Sequence, residues 1–288
     1  MPDYRGRTER LIDVFNDTQA QYSDNPVLAK AVKDSCREAK LYEANDYPAL
    51  SAALRKPQCE VTITKLKTFE AAMRQRRLHP QARIAVLNFA SATNPGGGAA
   101  KGSVAQEECL CRCSTLYPTL NSQQFLQKYY SVNRASHDPL HTDACIYSPN
   151  IVVFKSDELF PALLKPEDWV TLDVISCAAP NLRANPNNAF NPGQAKKAAL
   201  SSEQQYKLHL KRARHILTVT ASYNVDILIL GAFGCGVFRN DPFAVARAYR
   251  DVLNELHSYF SGIEFAIYCR DNEIVNFSAF KQVLTGGR

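Results

Sequence analysis

Arg83-Ile-Ala-Val-Leu-Asn88 runs directly into Phe89-Ala-Ser-Ala-Thr-Asn-Pro-Gly-Gly-Gly98, and the chain then reaches Gln106-Glu-Glu108. The first part is an uninterrupted apolar run, the pattern of a strand covered on both faces by helices. The glycines let the backbone take φ > 0 and let a ligand come close to it. Ser103-x-x-Gln106 has capping-box spacing, which predicts a helix from Val104 that ends before Pro118, with both glutamates in its first turn. In an open α/β sheet, ligands bind where the strands end, so this strand–loop–helix junction is a candidate site. Glutamates at a helix start are stabilised by the positive end of the helix. Beside an anion-sized cradle they can also do acid/base work on a phosphorylated ligand.

A second junction repeats the design. Val225-Asp-Ile-Leu-Ile-Leu-Gly231 predicts a strand that feeds Gly231-Ala-Phe-Gly-Cys-Gly-Val-Phe-Arg-Asn-Asp-Pro242. Asp241 has the chemistry of a helix cap, with Pro242 at the first helical position. The loop lacks the G-x-G-x-x-G dinucleotide pattern and the Gly-Lys-Ser/Thr of a P-loop. Its glycines suit a nest of N–H groups around a phosphate, with Val237 and Phe238 as an apolar wall. Two such loops and two carboxylates together point to a phosphorylated ligand.

Between and around these junctions, strands and helices alternate. Strands are predicted over Cys59-Glu-Val-Thr-Ile-Thr64, Cys145 to Phe154 (a pair interrupted at Pro149), Trp169 to Pro180, ending in small residues, and Ile263 to Tyr268. Thr68 is read as the cap of a short helix. Ser202-x-x-Gln205 opens a long one, whose Lys207, Lys211, Arg212 and Arg214 read as a solvated face. Ile274, Phe277, Phe280 and Leu284 mark a closing helix. Tyr129-Tyr130 and His137 to His141 fall in a polar stretch. Pro139 breaks the i, i+4 geometry of a metal-binding histidine pair, so both histidines read as surface residues. Asn181 to Gly193, rich in Asn and Pro, is a lid or a surface insertion. The first fifty residues read as helical, with Leu11, Ile12 and Phe15 on one helix, Val27, Ala31 and Val32 on another, and Asn25-Pro26 as the break.

At 288 residues, with 45% hydrophobic and 22% charged, the chain can form an ordinary packed core. It has no apolar run long enough to span a bilayer, and its charged N-terminus lacks an apolar signal core. Nine cysteines, an odd number, read as reduced thiols of a cytoplasmic or nuclear protein. On a helix Cys109 and Cys113 share a face while Cys111 points elsewhere, a poor zinc geometry, so no metal is expected. The net charge of +6 fits an anionic ligand but is spread along the chain, and nucleic-acid binding is not supported by charge alone.

Pro95-Gly-Gly-Gly98 followed by Gln106-Glu-Glu108 resembles the bacterial-type poly(ADP-ribose) glycohydrolase family, whose mark is three glycines and then Gln-Glu-Glu. Asn88-Phe-Ala-Ser-Ala, Thr93-Asn-Pro, Cys111-Arg-Cys-Ser-Thr-Leu-Tyr, Ile146-Tyr-Ser-Pro, Ala178-Ala-Pro-Asn and the Gly231–Pro242 loop agree. The resemblance covers about Cys59 to Phe280. It implies an α/β fold: a three-layer α/β/α macrodomain with a mixed sheet. Residues 59–288 would be the ADP-ribose-binding catalytic domain, and 1–58 an N-terminal helical extension packed on it. It also implies that Glu108 is the catalytic acid and that Glu107 orients the adjacent ribose. Contacts to ADP-ribose would come from Asn88, Asn94, Gly96, Gly97, Gly98, Gln106, Gly234, Cys235, Gly236, Val237 and Phe238. Ala99 and Lys101 depart from the bulkier apolar residue that relatives often carry straight after the glycines.

Successive helical residues diverge by about 100°, so the two glutamates are expected to do different jobs. In the implied reaction Glu108 protonates the leaving ribose oxygen, an oxocarbenium-like ribose forms near the diphosphate, and the ionised carboxylate activates water. Glu107 and the ligand's phosphates would favour the protonated acid, and the helix start would oppose them. The expected partners are poly(ADP-ribose) or ADP-ribosylated macromolecules, with ADP-ribose as product, no cofactor, no membrane and a monomeric chain. The same residues would serve a mono(ADP-ribosyl) hydrolase acting on protein or nucleic acid. A non-catalytic ADP-ribose-binding macrodomain would not need both glutamates.

Overall fold

The computed structural model describes residues 4–187, 198–270 and 272–286. Helices α1 (Tyr4–Asp24) and α2 (Pro26–Glu38) come first, joined where Asn25 accepts from the N–H groups of Val27 and Leu28 and Pro26 occupies the first turn. Lys40–Tyr42 then forms strand β1, inside the stretch read as helical. Three residues are too few to display a period-two pattern. Next come β2 (Glu60–Thr64), α3 (Thr68–Leu78), β3 (Ile84–Phe89) and α4 (Gln106–Cys113). The short helices α5 (Leu116–Leu120), α6 (Gln123–Phe125) and α7 (Ser131–Ser136) lead to β4 (Cys145–Val153) and β5 (Val170–Cys177). The chain closes with α8 (Ser202–Ser222), β6 (Ile227–Leu230), α9 (Pro242–Leu256), β7 (Gly262–Ala266) and α10 (Val275–Thr285).

The strands form one mixed sheet in the order β1-β4-β5-β3-β6-β7-β2. The β1–β4 and β4–β5 pairs are antiparallel and the others parallel. Alternate residues of each central strand enter different cores. Ala85 and Leu87 of β3 pack under α8 and α9, while Ile84 and Val86 pack against α3, α4 and the short helices. These side chains are fully buried, the larger Ile84, Val86 and Leu87 each contributing about 1.5–3 kcal/mol of transfer free energy, which explains the unbroken apolar runs. The three-layer α/β/α reading is borne out.

Several local expectations are corrected. Instead of a strand pair, β4 is one strand with a bulge between Ser148 and Ile151, where Pro149 and the left-handed Asn150 are absorbed. The cap of α8 is Ser201 with Gln204, one residue earlier than read. Lys67, not Thr68, precedes α3, and the free N–H groups of Phe69 and Glu70 donate to Asp157 Oδ2 from a distant loop. The cationic run on α8 is not all solvated: Arg212 is fully buried, donating to Asp143 Oδ1 at 2.9 Å and to the carbonyls of Ala178, Leu140 and His141. Tyr129 and Tyr130 are buried edge-to-face partners despite their polar neighbourhood. His137 and His141 are half-buried in left-handed turns rather than exposed.

Helix α1 is fastened to α4. Thr18 Oγ1 donates to the carbonyl of Arg112 at 2.7 Å, and the buried Lys155 Nζ reaches Thr18 Oγ1 and Asp17 Oδ2. Phe15 meets Tyr117 edge-on at 4.9 Å, and the Tyr117 ring covers Gly96. The N-terminal helix thus braces both the glycine loop and the helix that bears the glutamates. Among the described residues no helix is long and apolar enough to cross a membrane.

Candidate active site

The parallel strands β5, β3 and β6 are neighbours, so their carboxyl ends, and the loops that follow, lie side by side. The loop after β3 is joined to β5 by Ala90 N–H donating to Cys177 O. The loop after β6 rests on the segment after β5 through Gly234, whose Cα faces Ala179. Both glycine loops therefore border one edge of the sheet.

Helix α4 starts at Gln106, with Ala105 as its cap and no side-chain cap bond, so Ser103-x-x-Gln106 is not a capping box. The Gln106 amide turns instead to β3. It accepts from Phe89 N–H at 2.8 Å and donates to Leu87 O and Thr68 Oγ1. This bridge sets the distance between strand end and helix start. Capping spacing alone cannot reveal it.

Glu107 and Glu108 are both buried in the first turn. Glu107 accepts from Ser91 N–H at 2.7 Å and from Asn88 Nδ2 at 3.2 Å, with Gly96 N–H as a further donor. Asn88 also donates to Ser176 Oγ at 3.0 Å across the β3–β5 pair, and its own Oδ1 has no partner among the described residues. Glu108 Oε1 accepts from Gly98 N–H at 2.8 Å. The two side chains have separate donors, yet both carboxyl groups curl back to one point. A Cβ on Gly97 would lie 2.6 Å from Glu108 Oε1 and 3.1 Å from Glu107 Oε2. Gly97 is also at φ +57°, so only glycine fits without strain.

Burial, and then the neighbouring Glu108 charge, push the Glu107 carboxyl up to about 8, against the pull of its donors Ser91, Asn88 and Gly96. Asn94 shapes the loop: its amide donates to Gly97 O, its carbonyl accepts from Gly97 N–H, and its own N–H meets Ser91 Oγ. The N–H groups of Gly96, Gly97 and Gly98 thus serve the loop and the two glutamates. The loop offers a ligand bare backbone and two carboxyls rather than a set of free donors.

The second loop is the opposite case. Among the described residues no group accepts from the N–H of Gly236, Val237 or Phe238, while the carbonyls of Gly234, Gly236 and Phe238 all accept from protein. Gly236 is open on its Cβ side, and Val237 is 58% exposed. Phe238 is half-buried against the core, with the Arg183 guanidinium 5.7 Å over its ring. Cys235 is buried, its thiol directed to Phe233 O and pushed well up by burial, so it is a packing residue in this loop. Asp241 caps α9 as expected, accepting from Phe243 N–H at 2.9 Å. Residues 188–193 of the Asn181–Gly193 loop lie outside the described residues; Leu182 at its start donates to Phe238 O.

All nine cysteines are free thiols, and among the described residues no group of three or more His, Cys, Asp or Glu could hold a metal ion.

A family model described as microbial-type PARG, catalytic domain, matches residues 10–156, half of the chain. The chain belongs to the microbial-type PARG family. The resemblance carried by the glycines and Gln-Glu-Glu is borne out. Two solved structures of this family are similar along nearly their whole length. One is poly(ADP-ribose) glycohydrolase from Thermomonospora curvata bound to the inhibitor ADP-HPD, 28% identical, with 94% of this chain and 98% of that chain covered and a TM-score of 0.76. The other is the enzyme from Deinococcus radiodurans in complex with ADP-ribose, 37% identical, with 88% and 97% covered and a TM-score of 0.72. A comparison with curated protein sequences gave no match. The microbial-type PARG match spans both the N-terminal helices and the glutamates, which agrees with the physical fastening of α1 to α4.

Proposed function

We propose that the chain is a poly(ADP-ribose) glycohydrolase that breaks the ribose–ribose O-glycosidic bond of the polymer and releases ADP-ribose. The observation that carries this reading is the convergence of two buried carboxyls on Gly97, beside a loop whose Gly236, Val237 and Phe238 N–H groups have no acceptor among the described residues. Family membership and relatives solved with ADP-ribose or ADP-HPD support it. In this reading the diphosphate meets the N–H groups of Gly236 to Phe238, and Val237 and Phe238 wall the ligand. The bare backbone of Gly96 to Gly98 lets the ribose come up to the carboxyls.

Glu108 delivers a proton to the departing ribose oxygen as the bond from the anomeric carbon breaks. The cationic ribose is stabilised by the diphosphate. Glu108, now ionised, takes a proton from water as that water's oxygen bonds to the anomeric carbon, which restores the acid and frees ADP-ribose. Glu107, held by the Ser91 N–H and the Asn88 amide, orients the ribose hydroxyls. Residues 59–288 form the catalytic domain in this account, and 1–58 are an extension that braces it. The free cysteines fit a cytoplasmic or nuclear protein.

The test is incubation with poly(ADP-ribose), ADP-ribosylated protein and ADP-ribosylated nucleic acid, with products identified by mass. ADP-ribose released from polymer is the expected result. Release only from the singly modified substrates would replace this reading with a mono(ADP-ribosyl) hydrolase, and binding without release with a reader.

A further inference from the structure

Polar residues along the first turns of α8 form a stripe directed at the second loop. Ser202 Oγ donates to Asp241 Oδ2 at 2.6 Å, Gln205 Oε1 accepts from Asp241 N–H at 2.8 Å, and His209 Nε2 lies 2.8 Å from Asn240 Oδ1. Positions 202, 205 and 209 are spaced three and four apart, which puts them on one helical face. His209 is 1% exposed and packs edge-on against Phe233.

Asn240 is the hub. Its Nδ2 faces three carbonyls, Pro180 at 2.7 Å, Gly234 at 2.9 Å and Phe238 at 3.4 Å. An amide nitrogen only donates, so Asn240 Oδ1 must be the acceptor towards His209. His209 is therefore protonated on Nε2, and its Nδ1 is the buried atom without a partner among the described residues. Burial holds this imidazole neutral, lowering it to about 4. Two of these carbonyls, Gly234 and Phe238, lie at the two ends of the loop segment, so the Asn240 amide fastens both ends to the protein. The N–H groups of Gly236, Val237 and Phe238, which have no acceptor among the described residues, lie between these two anchors.

We propose that His209 and Asn240 are a positioning pair that holds the Gly234–Phe238 loop in its phosphate-accepting form and so sets affinity for ADP-ribose rather than the rate of bond breaking. The pair touches neither glutamate. It acts through the loop, and this role rests on the function proposed above. Preorganised donors gain affinity by removing the ordering cost of binding.

The experiment measures ADP-ribose binding by calorimetry and polymer hydrolysis at steady state for the wild type, His209→Leu, His209→Gln and Asn240→Asp. Loss of the imidazole donor, or of the Nδ2 donor, is expected to raise both Kd and KM at least about tenfold with kcat within about threefold, a uniform binding loss. His209→Gln keeps an amide donor near the same place and is expected to recover most of the affinity. Unchanged Kd and KM, or a loss confined to kcat, would overturn the proposal. Should a variant fail to fold, nuclear magnetic resonance of the wild type decides. His209 Nε2–H must be protected from exchange, and the N–H signals of Gly236, Val237 and Phe238 must shift on adding ADP-ribose; unshifted signals overturn it. A wild type that neither binds ADP-ribose nor cuts polymer would instead refute the proposed function itself.

Discussion

Gly98 donates its backbone N–H to Glu108 Oε1 at 2.8 Å, tying the glycine loop to the carboxyl ten residues further on. The loop is thus part of the machinery that aims the carboxyls as well as an opening for ligand. Gly97, between that bond and Glu107, is its tightest point. In Gly97→Ala the new methyl would sit 2.6 Å from Glu108 Oε1, at φ +57°. Displacing a reacting group by about 1 Å costs on the order of 100-fold in rate, and that loss in kcat for polymer hydrolysis is the expected result. The left-handed strain should add a stability loss of about 1–3 kcal/mol in urea unfolding. Turnover near the wild-type level would show that the carboxyls tolerate movement.

Glu107 makes stability depend on pH with a definite sign. Its folded carboxyl holds a proton up to about 8, whereas the ordinary value is 4.5, so between these the folded state binds more protons than the unfolded one. Stability therefore falls as pH rises through that window, at up to about 1.4 kcal/mol per pH unit. Glu107→Gln, which cannot ionise, is expected to flatten the curve from about pH 5 to about pH 8 in denaturant unfolding at each pH. An identical slope in wild type and variant would contradict the burial argument.

His141 should act in the opposite direction. Burial and then the Arg212 charge lower its imidazole from 6.5 to about 3, so the unfolded state binds the extra proton in this interval. Its contribution is complete above the ordinary histidine value and is lost as pH falls towards about 3. His141→Asn, able to keep the left-handed turn at φ +58°, is expected to lessen the loss of stability on acidification. An unaltered acid slope would count against it.

How much of this was readable along the chain depended on whether the cause was local. Strands β3 and β6 were legible because cover on both faces makes apolar composition itself the signal, and the loops because glycine is required where φ is positive. Arg212 was not. Lys211 and Arg214 beside it are partly exposed, and nothing in a helical charge pattern separates them from the buried one. Only Asp143, sixty-nine residues earlier in the chain, makes that distinction. Gln106 is similar, since its spacing suggested a cap while its amide found the backbone of β3. The site as an arrangement, with both carboxyls meeting at Gly97, comes from loop folding that local periodicity cannot encode.

Arg212 supplies a stability prediction from the same observation. Arg212→Met would leave Asp143 buried with Lys211 Nζ at 2.9 Å as its remaining cationic partner, and would take the donor from three carbonyls. Breaking a buried pair from one side costs about 3–5 kcal/mol, which urea unfolding should register. A loss below about 1 kcal/mol would mean that the segments around Leu140 and Ala178 do not need this anchor.

The most direct measurement is release of ADP-ribose from poly(ADP-ribose) by Glu108→Gln, with ADP-ribose binding measured on the same preparation. Glutamine keeps the acceptor for Gly98 N–H but can neither give a proton to the leaving oxygen nor take one from water. The account predicts binding within a few-fold of wild type and release reduced to background. Full turnover by this variant would contradict it.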